Sequence, residues 1–164
     1  MIDTPIPASG LELRTERLVT VFVAINPRLN FGNGPVGRRV LFNCAGGRFA
    51  GPRLRGEVLP GGGDWGLYGS DGAMIIDARL SLRTDDGALV NMSYGGRLIV
   101  PAAITSEMAN AATRHHIDPA AYYLRTTPSF ETGAEPYKWL NEIVCVGIGY
   151  VVEGGVAYEI NLVL

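Results

Sequence analysis

Short segments rich in β-branched and aromatic residues, separated by turn sequences, make up most of this chain. Such segments are typical of β-strands. They cover residues 16–25, 38–44, 47–59, 73–84, 88–96, 121–127, 142–152 and 156–164. The connections SDG, DDG and EGG, at residues 70–72, 85–87 and 153–155, contain residues that tolerate the positive φ of tight hairpins. We therefore expect about eight strands, with sequential neighbours paired antiparallel.

The segment ITSEMANAATRHH, residues 104–116, departs from the strand pattern. Its alanines, Glu107 and Met108 have helix-compatible spacing, and Thr105 or Ser106 is a suitable N-cap. An Asp-Pro pair at 118–119 is a stop signal for such a helix. The sequence therefore predicts one short helix between two strands.

An all-β chain with about eight antiparallel strands is best accommodated by a closed barrel. Closure removes both exposed sheet edges, and a barrel of this size has room for side chains or for one small ligand. We therefore expect a closed antiparallel β-barrel with one short helix, and a β-sandwich is the alternative. A length of 164 residues suits a single domain spanning residues 1–164.

Composition argues against several classes of protein. The formal net charge is −2 and the basic residues are dispersed, so nothing predicts a nucleic-acid surface. No apolar run is long enough to span a membrane, and the start MIDTPIPASG lacks the basic region of a signal peptide. We therefore expect a cytoplasmic protein that does not bind membranes. Cys44 and Cys145 both have apolar neighbours, which favours buried, reduced thiols.

Glycine-rich motifs give the chain a resemblance to a known family. The motifs GGRFAGPRLRG, LPGGGDW, DARLSLRTDDGAL and RTTPSFETG lie within residues 37–65, 77–90 and 122–141, and VGIGY follows at 146–150. Together they resemble the DUF3237 family, also called UPF0311, from about residue 37 to the C-terminus. The resemblance implies a small antiparallel barrel, similar in shape to the calycin and allene oxide cyclase barrels, and no established general activity. The chain departs from the family pattern in NMSYGGRL, residues 91–98, where Tyr94 replaces smaller polar residues, and in a longer insertion around residues 102–116.

Three consecutive glycines precede Asp64 and Trp65 in the stretch GEVLPGGGDW. Pro60 breaks strand pairing, and the glycines permit a sharp turn with close backbone approach. On this interpretation the chain folds over a barrel rim and directs Asp64 and Trp65 toward the cavity. The alternative is a surface hairpin in which Trp65 packs over one end of the barrel.

A second pair of candidates lies in the strand at residues 73–84, where Asp77 and Arg79 occupy the same face. They are either an exposed ion pair or an acid and a base that point into the lumen. Arg125 raises a similar choice, because it either binds a substrate carboxylate or pairs with Glu131.

Aromatic residues are concentrated near Arg125 in sequence and suit the lining of a pocket for a flat, partly apolar ligand. They are Tyr122, Tyr123, Phe130, Tyr137 and Trp139. Ordinary core packing is the alternative role. His115 and His116 are adjacent and no further histidine accompanies them, so no metal site is expected.

Two functional hypotheses follow for a barrel that holds a small-molecule ligand. In the first, the chain is an enzyme that needs no cofactor and performs lyase (including decarboxylase) or isomerase/cyclase chemistry on an aromatic or unsaturated oxygenated acid or ketone. Its catalytic and substrate-binding groups come from Asp64, Asp77, Arg79, Tyr94, Tyr123, Trp65, Arg125, Phe130 and Trp139.

Within this set, Asp64 or Asp77 serves as general acid/base, Arg79 or Arg125 binds a carboxylate or oxyanion, and Tyr94 or Tyr123 donates a hydrogen bond. In the second hypothesis the barrel binds a hydrophobic metabolite without converting it. A filled barrel that acts through its surface is a third possibility. The apolar C-terminal sequence INLVL suggests a strand covered by the barrel itself or by a partner subunit in a homo-oligomer.

Overall fold

The structure is a computed structural model that describes residues 9–164. Residues 1–8, on which the expectation of no signal peptide rested, lie outside the described part. In the described part, ten strands form a single antiparallel sheet. They are β1 Thr15–Ile25, β2 Leu29–Gly34, β3 Gly37–Ala50, β4 Arg55–Val58, β5 Gly63–Tyr68, β6 Met74–Thr84, β7 Leu89–Ile99, β8 Tyr123–Glu131, β9 Cys145–Val152 and β10 Gly155–Val163.

The sheet closes on itself. Its order is β1-β10-β9-β8-β7-β6-β4-β3, and β1 also pairs with β3. Strands β4 and β5 occupy successive parts of one position between β3 and β6, so the wall has eight positions. The predicted closed eight-stranded antiparallel barrel is therefore confirmed, with two additional strands.

Strand β3 is longer than the sequence predicted, because it runs without a break through Ala45 and Gly46. Its first half pairs with β2 and β5, and its second half pairs with β1 and β4. The register against β1 shifts between the pairs Ile25–Cys44 and Ala24–Gly46. A bulge at Ala45 therefore absorbs the extra residue without ending the strand.

Strands β2 and β5 were not predicted. Their sequences, LNFGNG and GDWGLY, each contain two glycines, which hide the alternation typical of a strand. Within residues 9–164, strand β2 pairs with β3 alone and leaves the barrel as an edge strand. Its register shifts between Asn30 and Gly32, and the Asn30 side-chain oxygen accepts a hydrogen bond from the Gly32 amide at 3.1 Å.

The connection between β7 and β8 contains the predicted short helix, α1 Thr105–Ala109. The helix is shorter than the predicted 104–116 because Asn110 has extended backbone dihedrals, no side chain caps the helix and none of its residues is buried. The Asp118 carboxylate accepts a hydrogen bond from the Ala120 amide at 2.9 Å and begins a 3-10 turn rather than ending a helix. Within residues 9–164 no helix is long and apolar enough to cross a membrane.

The interior of the barrel is filled at one end and open at the other. Along β6 the even-numbered side chains point inward and are buried. At the end near the β6–β7 turn, Leu82, Val90, Met92 and Phe130 pack against one another and are buried. Toward the β5–β6 turn the lumen widens into a cavity.

Candidate functional site

The cavity occupies the open end of the barrel and has a volume of about 920 Å³. Strand residues such as Met74, Ile76 and Leu80 form an apolar inner wall. The β5–β6 turn, the β9–β10 hairpin and part of the segment that contains α1 surround the mouth. Volumes of this order are typical of sites for small molecules.

Asp64 is the acidic side chain on the inner part of this cavity. Its position on β5 pairs with Phe42 of β3 and Ala78 of β6, so all three side chains point inward. One Asp64 carboxylate oxygen accepts a hydrogen bond from the Asp77 backbone amide at 3.0 Å. Burial raises the pKa of Asp64 to about 6, although the Asp77 amide opposes this shift and the Asp77 charge adds to it. The carboxyl group can therefore gain or lose a proton near neutral pH.

Tyr94 and Tyr158 face the same cavity. Tyr94 pairs with Ala78, which in turn pairs with Asp64, so the small alanine separates the acid from the tyrosine along one inward-facing row. The rings of Tyr94 and Tyr158 pack at 5.2 Å between centroids with a tilt of 59°. Burial raises the pKa of both tyrosines, so both hydroxyl groups keep their protons at neutral pH and can donate hydrogen bonds.

Arginines lie around the mouth of the cavity. Arg28, Arg38 and Arg114 all line it. The Arg38 guanidinium carbon lies 4.0 Å from the centre of the Tyr68 ring. Burial raises the pKa of Tyr68, and the charges of Arg38 and Arg28 oppose this shift. In the part of the chain that the structure describes, none of these three arginines forms an ion pair.

One of the two predicted alternatives placed Asp77 and Arg79 in the lumen as an acid and a base. It is wrong, because both side chains lie outside the barrel. The odd-numbered residues of β6 alternate with the buried even-numbered ones and therefore face away from the core. Asp77 and Arg79 form an ion pair at 2.9 Å with side chains that are 55% and 65% exposed. They do not line the cavity.

The glycine stretch directs Asp64 to the cavity but not Trp65, which corrects the predicted position of the tryptophan. Successive residues of a strand point to opposite faces, so Trp65 lies outside, where it stacks on Phe31 with ring centroids 6.1 Å apart. The stretch is also not at a barrel rim. Gly61 and Gly62, both at positive φ, form an irregular interruption of the wall between β4 and β5.

The four remaining predicted site residues also lie away from the cavity. Tyr123 is exposed on the outer face, and the Arg125 guanidinium lies 5.0 Å from its ring centre. Phe130 belongs to the filled end of the core, and Trp139 packs beneath the guanidinium of Arg53 at 3.5 Å. Of the nine predicted residues, therefore, the structure brings together Asp64 and Tyr94.

In the described residues, the predicted alternative pairing of Arg125 with Glu131 is also absent. Arg125 instead donates a hydrogen bond to the Leu124 carbonyl oxygen at 3.0 Å. The side chain is thus held against the outer surface of β8 and faces neither the cavity nor a glutamate.

Sequence reasoning missed Tyr158, Arg38, Arg28 and Arg114. For two of them the sequence contained a signal. Tyr158 lies two residues before the apolar Ile160, and Arg38 two residues before Val40, so each is on the same face of its strand as an apolar residue. Arg28 and Arg114 lie in connections whose course the pattern of residues does not reveal. Within residues 9–164, no cluster of three or more His, Cys, Asp or Glu side chains is placed to hold a metal ion.

The fold and the cavity define the class of this protein: a closed β-barrel whose internal cavity has the volume of a small-molecule site and contains an ionisable carboxyl group, that of Asp64. The chain belongs to the DUF3237 family, described as a protein family of unknown function, whose pattern matches residues 13–163. This confirms the resemblance found in the sequence.

Individual relatives are consistent with this membership. A UPF0311 protein of Clostridium acetobutylicum is 33% identical over 130 residues, which is 79% of this chain and 80% of that protein. The crystal structure of a β-barrel-like protein from Acinetobacter baumannii has a TM-score of 0.78 at 31% identity and covers 99% of both chains. An enzyme from Penicillium herquei has the same fold, with a TM-score of 0.71 at 21% identity, covering 97% of this chain and 100% of that one.

Proposed function

We propose that this protein is a small-molecule enzyme in which Asp64 is the general acid/base and Tyr94 and Tyr158 are hydrogen-bond donors. The proposed substrate is an aromatic or unsaturated oxygenated acid or ketone, and the proposed chemistry is of the isomerase/cyclase or lyase type. The observation that carries the proposal is a partly buried carboxyl group that shares one cavity with two protonated phenols.

The arrangement suits proton transfer next to a carbonyl group. Asp64, when ionised, takes a proton from carbon or oxygen, and electron density moves onto the carbonyl oxygen. A tyrosine hydroxyl then stabilises the resulting oxyanion, since a neutral phenol in a shielded site is an effective donor. Asp64 returns its proton to another atom of the same molecule, which completes an isomerisation or cyclisation with no net change in protons.

The position of Asp64 supports this role. The Asp77 amide hydrogen bond holds one carboxylate oxygen in place and leaves the other for the substrate, so the acid is oriented before substrate binds. Strand residues on both sides, Phe42 and Ala78, keep Asp64 on a rigid part of the barrel. The fold is also compatible with catalysis, because the Penicillium herquei protein with this fold is described as an enzyme.

The test measures proton abstraction directly and uses two aspartates as a matched pair. Aryl ketones and aryl keto acids are incubated with the protein in D₂O, and deuterium incorporation and product formation are followed by mass spectrometry. We expect Asp64→Asn to lower the exchange rate by at least about a hundredfold. Asp77→Asn, on the outer face, should change the rate far less, because it removes only a minor contribution to the pKa of Asp64 and keeps the backbone amide that orients this carboxylate.

Equal rates for wild type and Asp64→Asn would remove Asp64 from the reaction. If probes bind but are recovered with neither exchange nor conversion, the non-catalytic binding protein is the better description. The ligand would then occupy the same cavity without proton transfer.

A further inference from the structure

We infer that the cavity binds an amphipathic carboxylic acid in one orientation, with the carboxylate at Arg38 at the mouth and the apolar body extending inward to Asp64. This inference rests on the proposed function, since it names the substrate class of the same site. It selects the acid over the ketone and states which end of the molecule reacts.

The charges of the cavity are divided between its two ends. Arg28, Arg38 and Arg114 line the mouth, whereas Asp64 lies in the inner part. Among the described residues that line the cavity, Asp71 is the other acid, and it accepts a hydrogen bond from the Ala73 amide within its own turn. A ligand carboxylate is therefore attracted to the mouth and repelled from the inner end, where the apolar wall favours hydrocarbon.

Arg38 is the best-placed of the three arginines for binding a carboxylate. It is half-buried on β3, and its guanidinium lies over the Tyr68 ring at 4.0 Å. The Tyr68 ring restrains the guanidinium at this distance. A guanidinium has five N–H donors, so donors remain for the two oxygens of a carboxylate even where one of them is directed toward the Tyr68 hydroxyl.

The barrel strands set the distance between the two ends of the site. Arg38 pairs with Tyr68, and Phe42 pairs with Asp64, so the two layers are separated by four residues along β3 and β5. Four residues of strand span about 13 Å. Side chains in strands stand roughly perpendicular to the sheet, so we take the offset between the two charged groups along the strands to be about the same. With about 3 Å of hydrogen-bond distance at each end, the ligand carboxylate and the reacting atom are then separated by roughly 7 Å, which is about the length of an aromatic ring with a short substituent.

This separation has a chemical consequence for the proposed reaction. A carboxylate held at Arg38 is too far from Asp64 to be the group that reacts. The substrate therefore keeps this carboxylate, and proton transfer takes place on the opposite side of the molecule. Isomerisation or cyclisation fits this arrangement, whereas loss of the same carboxylate as carbon dioxide does not.

The experiment compares two probes of nearly the same shape, 2-naphthaleneacetate and its neutral amide 2-naphthaleneacetamide, by calorimetric titration at low ionic strength. For the wild type we expect the carboxylate to bind at least about tenfold more tightly than the amide. In Arg38→Gln the ratio falls to about threefold or less, with little change for the amide. In Arg97→Gln, which removes an exposed arginine on β7, the wild-type ratio remains.

A second variant covers the case in which Arg38→Gln is poorly folded by circular dichroism. Arg28 is exposed at the mouth, and Arg28→Gln is expected to lower the ratio of the two affinities without affecting the fold. A ratio near one in the wild type, a ratio unchanged in both mouth variants, or no binding of the carboxylate at millimolar concentration would overturn the inference.

The same titrations separate this inference from the proposed function. Asp64→Asn removes the acid but not the arginines, so it is expected to bind the carboxylate at least as tightly as the wild type. If the affinity ratio fails while exchange still depends on Asp64, the substrate is not held by a carboxylate at the mouth but the catalytic proposal stands. If the ratio holds while exchange does not depend on Asp64, the barrel binds acids without using this residue for catalysis.

Discussion

At the scale of single residues, Asp64 and Asp77 show how position in a barrel wall determines the chemistry of one side-chain type. The Asp77 amide is hydrogen bonded to the Asp64 carboxylate, yet the two carboxylates face opposite sides of the sheet. Asp77 is exposed and paired with Arg79, whereas burial raises the pKa of Asp64 to about 6. Two carboxyl groups with such different environments take different roles.

The raised pKa of Asp64 predicts a specific pH dependence of stability. Between its ordinary pKa of 3.8 and the value of about 6, the folded state binds more protons at this site than the unfolded state. The contribution to the free energy of unfolding therefore falls as pH rises through this window and is constant above it. Asp64→Asn is expected to raise stability at pH 7.5 by about 3 kcal/mol, because asparagine keeps the hydrogen bond without a buried charge.

Thermal or urea unfolding at pH 4.5 and pH 7.5 measures this effect as the difference between wild type and variant. Asp77→Asn provides the control and should show no comparable stabilisation. A lower stability of Asp64→Asn than of wild type at pH 7.5 would contradict the assignment of a destabilising buried charge.

At the scale of elements, the irregular segment at Gly61 and Gly62 divides one strand position of the barrel wall, between β3 and β6, into the two strands β4 and β5. Gly61 donates its amide hydrogen to the Cys44 carbonyl at 3.1 Å, and the Cys44 amide donates to the Gly62 carbonyl at 3.3 Å. The irregular segment is therefore tied to β3 by its own backbone. Strand β5 resumes at Gly63, with Asp64 on the inward face.

Gly62 is the position in this segment that tolerates replacement least. It has φ of +71°, and a Cβ atom there would lie 2.4 Å from the Arg79 carbonyl oxygen. We expect Gly62→Ala to destabilise the protein by about 3 kcal/mol, from the left-handed backbone and the contact together. Gly72→Ala is the matched control, because Gly72 has φ of +81° with open space around it, and it should cost about 1 kcal/mol.

Urea unfolding of both variants measures how much each substitution lowers the free energy of unfolding. Equal destabilisation would mean that the backbone conformation alone matters and that the close approach of β6 relaxes. Activity in the folded fraction of Gly62→Ala also shows whether the interruption positions Asp64.

The sequence predicted the bounds of strands in which apolar and polar residues alternate regularly. It predicted strands without this alternation less well. Strand β6, with its strictly alternating residues, was predicted almost to its ends, and the turn at Gly72 lies where it was expected. Strands β2 and β5 were missed because their glycines remove the pattern. Alternation also left the direction of each face open, so Asp77 could not be assigned to the outside until the barrel showed which face of β6 is buried.

The candidate site was harder to predict because it is assembled from separate strands. Asp64 was found from its unusual local sequence, and Tyr94 from its departure from the family pattern. Tyr158 reaches the same cavity from the last strand, and Arg38 from the third. Their proximity depends on the closure of β1 onto β3 and on the register of each hairpin, which one sequence does not specify.

At the scale of the whole molecule, the barrel divides into a tightly packed end and a hollow end. Packing at the filled end supplies stability, with residues such as Leu82 and Leu140 almost fully buried. The hollow end lacks those contacts and exposes polar groups to the cavity. This division is consistent with the general observation that functional sites are built at some expense of stability.

Both cysteines report on the integrity of this architecture. Cys44 and Cys145 are free and buried, and burial raises the pKa of both thiols. We expect neither to react with a bulky disulfide reagent in the folded protein, and both to react together as urea unfolds it. The midpoint of thiol exposure should match that of circular dichroism, and a thiol that reacts quickly in the absence of urea would contradict the burial of its strand.

The irregular strand β2 bears on how copies of this protein behave at high concentration. A straight strand with unpaired amide and carbonyl groups is a template on which another molecule can extend the sheet. The bulge near Gly32, where Asn30 binds the amide with its own side chain, both bends this strand and occupies one of its donors. The bulge therefore makes β2, the strand that leaves the closed wall, a poor template for fibre growth by further copies of this protein.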